Sequence, residues 1–191
     1  MKCDSVVLAA GYSSRAGTDK MSLPIGDKTV LERVIETLYP VSDRIVVVGG
    51  FNYDETKKIT AKYKKASLVK NENYDLGMFS SVKCGAAEMK CDFFLMPGDY
   101  PAVRTSTCEK LIQGEGQMVV PVYKGRKGHP VLIRKELIDE IKNEPVGSNL
   151  KAFRDRHIVG YVDVDDEGIV LDVDTPEDYE NVREKIGKGW L

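Results

Sequence analysis

The chain has 191 residues, 42% of them hydrophobic, and its 28 Lys and Arg residues nearly balance its 30 Asp and Glu residues. This size and composition are typical of a single globular domain, which we place at residues 1–191, and the small net charge argues against nucleic-acid or membrane-surface binding through bulk electrostatics. The first residues lead directly into an apolar segment and no run approaches the ~20 apolar residues of a membrane span, so we expect a cytoplasmic protein.

Predicted strands and helices alternate along the first half of the chain. The apolar runs SVVLAA, RIVVVGG, ASLVKN and DFFLMPGD predict strands, because continuous apolar runs are typical of strands that are buried on both faces. Helices are predicted at TVLERVIETLY, with Thr29 as the N-cap and Pro40 after its end, and at YDETKKITAKYKK, SSVKCGAAEM and TSTCEKLIQ. Repeated β–α units of this kind predict a mostly parallel sheet with right-handed crossovers.

The second half of the chain has a different pattern. The segment QMVVPVYKGRKGHPVLIRKEL predicts two strands around a basic, glycine-containing turn and then a helix, and NLKAFRDR predicts a short helix. A hairpin with DDEG at its tip is predicted for IVGYVDVDDEGIVLDVD, followed by a last helix that Thr175 and Pro176 open. The predicted fold class is therefore α/β, with a mixed, mostly parallel central sheet.

Residues that could bind a ligand or take part in catalysis follow several of the predicted strands. GYSSR follows the first strand, GG the second, GD the fourth, and DVD ends the predicted hairpin. Any one of these is an ordinary turn sequence. Ligands of such sheets bind at the carboxyl ends of the strands, however, and the set as a whole predicts a binding site at that edge.

The segment LAAGYSSRAGTDK after the first strand is rich in glycine, hydroxyl groups and positive charge. Gly11 and Gly17 allow backbone N–H groups to turn toward an anion, while Arg15 and Lys20 supply charge and hydrogen-bond donors. Its spacing matches neither the P-loop nor the GxGxxG dinucleotide turn. A connection this long between a strand and a helix is usually functional, so we predict that it binds phosphate groups.

Carboxylates in two segments are candidate metal ligands. Asp99, in MPGDYP, suits Mg²⁺, which takes few protein carboxylates and completes its shell with phosphate oxygens and water. Asp172 and Asp174, in LDVDTPED, are a second source, and we expect only one of them to reach the metal directly. The alternatives are a turn or capping role for Asp99 and a helix-capping role for Asp174. The four cysteines lack the spacing of a zinc site.

A basic turn carries one of the two histidines. His129, in GRKGHPVLI, lies close in sequence to Arg126 and Lys127, and we predict that this cationic turn receives a second, anionic substrate. A purely structural role for a histidine before proline is the alternative.

Taken together, these segments resemble the small nucleotidyltransferases of the molybdenum cofactor family, the MobA-like superfamily. VVLAAGYSSRAGTDKMSLPIGDKTVLERVI is similar to their N-terminal signature LAAGxSxRxGxxK with its proline and leading helix. NENYDLGMFSSVKCG, LMPGDYP, GRKGHPVLI and DVDTPEDY are similar to the remaining blocks, in the same order. The resemblance extends from Val6 to about Tyr179 and implies a Rossmann-like, three-layer nucleotidyltransferase fold of the GT-A-like type.

The resemblance also implies an activity and a set of site residues. The activity is Mg²⁺-dependent transfer of CMP from CTP to the phosphate of molybdopterin or molybdenum cofactor, with release of pyrophosphate and delivery of the product to a molybdoenzyme or its chaperone. Arg15, Lys20 and Asp99 would be catalytic, Asp99 with Asp172 or Asp174 would hold the metal, and His129 with Arg126 would meet the acceptor. The nucleotide would contact Leu8, Ala9, Ala10, Gly11, Ser13, Arg15, Lys20, Ser80 and Ser81.

The choice of base and acceptor depends on two short segments. Cytidylyl-transferring members have LAAG where guanylyl-transferring members have LAGG, so Ala10 favours CTP over GTP because its methyl group reduces the room beside the base. The relatives' Gly-Asp-x-Gly-Ala-Arg stretch corresponds here to NEPVGSNLKAF, in which Gly147 and Leu150 fit but the Asp and Arg are absent. The alternatives are guanylyl transfer from GTP to the same cofactor, transfer to a sugar or polyol phosphate, and a nucleotide-binding accessory protein without turnover.

Overall fold

A computed structural model describes residues 3–11, 19–145 and 147–189 of the chain. Its strands are β1 (Asp4–Ala9), β2 (Pro24–Ile25), β3 (Lys28–Thr29), β4 (Ile45–Gly49), β5 (Ala66–Lys70), β6 (Phe93–Pro97), β7 (Met118–Tyr123), β8 (Arg126–Lys127), β9 (Val131–Ile133) and β10 (Val159–Asp163). Its α-helices are α1 (Val30–Leu38), α2 (Tyr53–Thr60), α3 (Met78–Ala86), α4 (Thr105–Ile112), α5 (Ile138–Asn143), α6 (Leu150–Arg154) and α7 (Pro176–Gly187).

The main sheet has the strand order β10-β7-β9-β6-β1-β4-β5, with β8 paired to β7. The four strands predicted in the first half form its parallel part, since β1 pairs in parallel with both β4 and β6, and β4 with β5. Strand β9 lies antiparallel between β6 and β7. The predicted mixed, mostly parallel sheet is therefore confirmed.

Alternate side chains of the central strands enter two separate cores. Val7 packs in a core with Leu31 of α1, whereas its neighbour Val6 packs in another with Val82 of α3. Because successive residues of a strand point to opposite faces, helices cover both sides of the sheet. This three-layer arrangement explains why the strands are continuously apolar.

Two helices begin with the caps that their sequences predict. The Thr29 hydroxyl accepts a hydrogen bond from the Glu32 amide and the Glu32 carboxylate accepts one from the Thr29 amide, which completes a capping box at α1. Thr175 and Asp178 form the equivalent box at α7. Helix α2 ends at Thr60, earlier than predicted. Along the described ranges, no helix has the length and apolar character required to cross a membrane.

The hairpin predicted near residue 165 is wrong. Strand β10 pairs in parallel with β7, and the chain then forms a 3-10 helix over Glu167–Val170 in place of a second strand. The cause is Asp166, which is 3% exposed. Its carboxylate accepts hydrogen bonds from the Gly168 amide, the Arg104 amide and the Thr107 hydroxyl, so it ties this segment to the start of α4.

Candidate active site

The carboxyl ends of β1, β4 and β6 lie side by side at one edge of the sheet. The Gly98 amide, after β6, donates to the Leu8 carbonyl over 2.8 Å, and the Phe51 amide, after β4, donates to the Ala10 carbonyl over 3.2 Å. At Gly50, a Cβ atom would lie 2.5 Å from the Ala10 carbonyl oxygen, so only glycine permits this approach. The glycines that the sequence places after these strands therefore bring the strand ends together.

Lys20 lies between two carboxylates at this edge. Its Nζ is 2.5 Å from Asp99 Oδ2 and 2.9 Å from Asp174 Oδ1. The Asp19 carboxylate accepts a hydrogen bond from the Met21 amide and so caps the short 3-10 helix that carries Lys20. Burial lowers the pKa of Lys20, but the charges and hydrogen bonds of Asp99 and Asp174 outweigh that effect and raise it. Lys20 is therefore an ammonium ion near neutral pH.

Residues 172–174 are held beside Asp99 by the backbone. The Val173 amide donates to the Asp99 carbonyl over 2.9 Å. Burial raises the pKa of the Asp172 carboxyl, and the neighbouring charges of Asp99 and Asp174 raise it further. Thr175 caps α7, so Asp174 does not have the capping role considered as an alternative. The segment therefore adds negative charge to the surroundings of Lys20.

The two carboxylate oxygens of Asp99 differ in their hydrogen bonding. Its Oδ2 accepts from Lys20, whereas its Oδ1 is buried and has no hydrogen-bond partner among the residues that the structure describes. Helix α4 begins after Arg104 at the N-cap, so Asp99 does not cap it. A buried, unsatisfied carboxylate oxygen is costly unless a donor or a cation satisfies it, which fits a Mg²⁺ ligand.

The described carboxylates at this edge supply only part of a metal ion's ligands. Among the side chains that the structure describes, no three His, Cys, Asp or Glu residues are grouped so as to bind a metal. The donors present, Asp99 with Asp174, fit an ion that completes its shell with phosphate oxygens and water.

His129 lies in the turn that is predicted to receive the acceptor, and its contact with the acceptor stays a prediction. It precedes Pro130 through a cis peptide bond, and its ring stands edge-on to Tyr100 with centroids 5.1 Å apart. Its Nδ1 is buried, and no described residue forms a hydrogen bond with it. Burial lowers its pKa to about 4, although the charge of Asp99 acts in the opposite direction. The imidazole is therefore neutral near pH 7, and the positive charge of this turn comes from Arg126 and Lys127, which are exposed.

The two serines of the predicted nucleotide site lie in the first turn of α3 and join it by hydrogen bonds to the turn after β5. Asn71 Nδ2 donates to the Ser80 hydroxyl over 2.8 Å and to the Ser81 hydroxyl over 2.9 Å. Ser80 in turn donates to the carbonyls of Asn73 and Gly77. These contacts order the turn, and a direct contact of either serine with a nucleotide stays a prediction.

The predicted residues of the first loop divide into two groups. Leu8, Ala9 and Ala10 are buried and Gly11 is exposed at the end of β1. Ser13 and Arg15 lie outside the described residues.

Aromatic residues at this edge were missed by the sequence reasoning. Phe51, 55% exposed, stands edge-on to Tyr74 with ring centroids 6.5 Å apart, and both line a cavity of about 760 Å³ together with Asp19 and Lys70. Burial raises the pKa of Tyr100, and the negative charges of the nearby carboxylates raise it further. Their positions in the sequence could have identified them. Phe51 directly follows the glycines at the end of β4, and Tyr100 directly follows Asp99. Aromatic faces at this edge suit the stacking of a base.

The sequence profile of the MobA-like NTP transferase domain matches residues 5–159. The chain belongs to the MobA-like NTP transferase family. This MobA-like chain is 29% identical to the molybdenum cofactor cytidylyltransferase of Escherichia coli K12 over 188 residues, which cover 95% of the chain and 96% of the relative. It is 26% identical to a probable molybdenum cofactor guanylyltransferase of Natranaerobius thermophilus, with 96% of each chain covered.

A solved structure supports the same assignment of the fold. A nucleotidyl transferase from Methanothermobacter superposes with a TM-score of 0.85 over 98% of this chain and 99% of that one, at 20% identity. The predicted three-layer nucleotidyltransferase fold is thus confirmed. With the family match, it identifies the MobA-like chain as a nucleotidyltransferase.

Proposed function

We propose that this MobA-like enzyme is Mg²⁺-dependent and transfers CMP from CTP to the phosphate of molybdopterin or molybdenum cofactor, releasing pyrophosphate. The observation that carries the proposal is the contact of Lys20 with Asp99 and Asp174 where β1, β4 and β6 end. A cation for a triphosphate and carboxylates for a metal are there within hydrogen-bond distance of each other. Residues 1–191 would form a single catalytic domain.

The chain's own residues would act by positioning and by neutralising charge. The acceptor phosphate is already a nucleophile and attacks the α-phosphorus in line, so no general base is required. Lys20 would donate to oxygens of the triphosphate, and Arg15, from the sequence, would join it there. Asp99 and Asp174 would hold Mg²⁺, which when bound neutralises the developing charge on the phosphates.

The acceptor would bind on the His129 side of the carboxylates. Arg126 is close enough to Tyr100 for its charge to oppose the rise in the tyrosine pKa, which supports a location beside the carboxylate cluster. We propose that Arg126 meets the phosphate of the acceptor, with neutral His129 beside it. The product would pass to a molybdoenzyme or its chaperone.

Ala10 supports CTP, and the guanylyltransferase relatives support GTP as the second candidate. Ala10 is 3% exposed, and its Cβ lies close to Gly50, where an added Cβ would be only 2.8 Å away. The methyl group packs against Gly50, and the preference for CTP over GTP follows from the LAAG sequence, which guanylyl-transferring relatives replace by LAGG. The similarity to a cytidylyltransferase points the same way.

Pyrophosphate release with defined substrates tests the proposal. The purified enzyme would be incubated with Mg²⁺ and each of CTP, GTP, ATP and UTP, with molybdopterin or a sugar or polyol phosphate as the acceptor. The products would be identified by mass spectrometry. We expect CTP to be used at least tenfold faster than GTP. Faster use of GTP would make the enzyme a guanylyltransferase, and pyrophosphate only with sugar or polyol phosphates would change the acceptor. Nucleotide binding without any release would indicate the accessory protein.

A further inference from the structure

Lys20 fills the position between Asp99 and Asp174 that a bound cation would require. Its side chain is 15% exposed and that of Asp99 is 16% exposed, so the pair is largely removed from water. The ammonium lies on Asp99 Oδ2 and Asp174 Oδ1, so a divalent ion that bound Asp99 Oδ1 and also reached Asp174 would lie within a few ångströms of it. Lysine and metal therefore compete for the same carboxylates.

We propose that Lys20 is an internal counter-ion that keeps divalent metal out of the site until a triphosphate attracts the lysine away. The inference rests on the proposed function for the identity of that second anion. It makes binding of nucleotide and metal mutually dependent: each ligand binds weakly alone and tightly in the presence of the other.

Electrostatics gives the direction of this coupling. Two cations a few ångströms apart in a partly buried site repel each other strongly, so a metal cannot join Asp99 and Asp174 while the ammonium stays. Removing the ammonium without a replacement would leave the partly buried charge of Asp99 and the more exposed charge of Asp174 without their shared counter-ion, which is unfavourable. A triphosphate changes the balance because it offers the lysine a new anionic partner and supplies oxygens to the metal.

The lysine has the mobility that such an exchange requires. Its four-carbon stem allows the ammonium to move several ångströms without moving the backbone. Asp19 caps the short helix that carries it, so the anchor point of the stem stays fixed. Since coupling between two ligands is reciprocal, metal must strengthen nucleotide binding by the same factor as nucleotide strengthens metal binding.

Mn²⁺ binding to the nucleotide-free protein tests the exchange directly. Titrations followed by electron paramagnetic resonance would compare the wild type with Lys20→Met. We expect Mn²⁺ to bind K20M at least tenfold more tightly, because the competing charge is gone. Lys20→Arg keeps the charge and should bind Mn²⁺ as weakly as the wild type. Lys28→Met is the matched control, since Lys28 Nζ pairs with Glu36 at 2.7 Å elsewhere and its loss should change nothing.

A second variant keeps the test decisive if K20M folds poorly. Lys20→Gln retains hydrogen-bond donors toward Asp99 but carries no charge, so it should show the same gain in Mn²⁺ affinity. Equal or weaker Mn²⁺ binding by the folded variants would overturn the proposal.

Thermal melting measures the coupling between nucleotide binding and metal binding separately. In the wild type, CTP and Mg²⁺ together should raise the melting temperature by more than the sum of their separate shifts, whereas K20M should respond to Mg²⁺ alone. Additive shifts in the wild type would contradict the coupling. The Mn²⁺ titration needs no nucleotide, so failure of the exchange and failure of the proposed transfer reaction are distinguishable.

Discussion

At the scale of single residues, the candidate site depends on charged groups that are partly removed from water. Asp99 was predictable because a carboxylate after a buried strand and before proline stands at a ligand-binding edge. The contact of Lys20 with Asp99 and Asp174 was not, because it joins residues 79 and 154 positions apart. The neutral state of His129 also depends on burial that no local pattern reveals.

Replacing Asp99 by Asn tests its role in turnover. Asn preserves the shape of the side chain and can still accept from Lys20, but it removes the charge and the anionic oxygen at Oδ1. We expect kcat to fall by at least 10²-fold, as for loss of one strong electrostatic contact in an active site, while the melting temperature changes little. Asp43→Asn, at an exposed position, is the control. Near wild-type turnover in D99N would remove Asp99 from the metal site.

His129 should make stability depend on pH. Its pKa is about 4 in the folded protein and about 6.5 when unfolded, so the unfolded chain takes up the proton first as the pH falls. The contribution of neutral His129 to the free energy of unfolding is complete above pH 6.5 and is lost as the pH falls toward 4. The total loss is up to about 3 kcal/mol.

Urea unfolding between pH 4 and 7 of the wild type and His129→Gln measures this effect. The glutamine cannot titrate, so the free energy of unfolding of the wild type should fall relative to the variant across that range. Parallel pH profiles would show that His129 is not buried in its neutral form.

At the scale of elements, the sequence predicted the regular β–α units well and the hairpin wrongly. Buried strands and capped helices have local signals, such as the apolar run of β4 or the Thr29 capping box. The segment after β10 has alternating apolar residues and a turn sequence, but the contacts of Asp166 with Arg104 and Thr107 override them. Such long-range side-chain contacts decide topology without leaving a periodic pattern.

The packing of α3 on β1 predicts that a glycine of α3 cannot be replaced by alanine without loss of stability. In α3, a Cβ at Gly85 would lie 2.3 Å from Val6 Cγ1, so Gly85→Ala forces the helix away from the sheet. We expect a loss of about 1–3 kcal/mol, the usual range for overpacking, which exceeds the gain in helix propensity.

Gly187→Ala, in α7, is the matched control for this prediction. No atom of the described residues lies within 4 Å of a Cβ at that position, so the substitution should be neutral or stabilising by up to ~1 kcal/mol. Chemical denaturation measures both variants. A stable G85A protein would show that α3 does not pack so tightly on β1.

At the scale of the whole molecule, a small third core joins segments far apart in sequence. Ile25 and Val30, around the β2–β3 pair, pack with Val173 and with Val182 of α7. The Tyr179 hydroxyl donates to the Pro24 carbonyl in the same region. This core therefore holds the segment that carries Lys20 against the segment that carries Asp174.

Val182→Ala should weaken this third core. Val182 is fully buried, so removing two methyl groups should lower the free energy of unfolding by about 2 kcal/mol through lost burial and a residual cavity. Equilibrium unfolding in urea measures the loss. A change below 0.5 kcal/mol, within the usual range for surface substitutions, would show that α7 contributes little to the stability of the fold.

Lys20 and Asp174 are in contact but lie 154 residues apart in the sequence, which has a consequence for incomplete chains. A nascent or proteolysed chain that stops before residue 174 contains every strand of the main sheet, and with them the whole region around β1, β4 and β6. It lacks the second carboxylate on Lys20 and the helix that fixes it. Such a fragment has no complete site, so the intact mass of a preparation should be checked before low activity is attributed to any substitution.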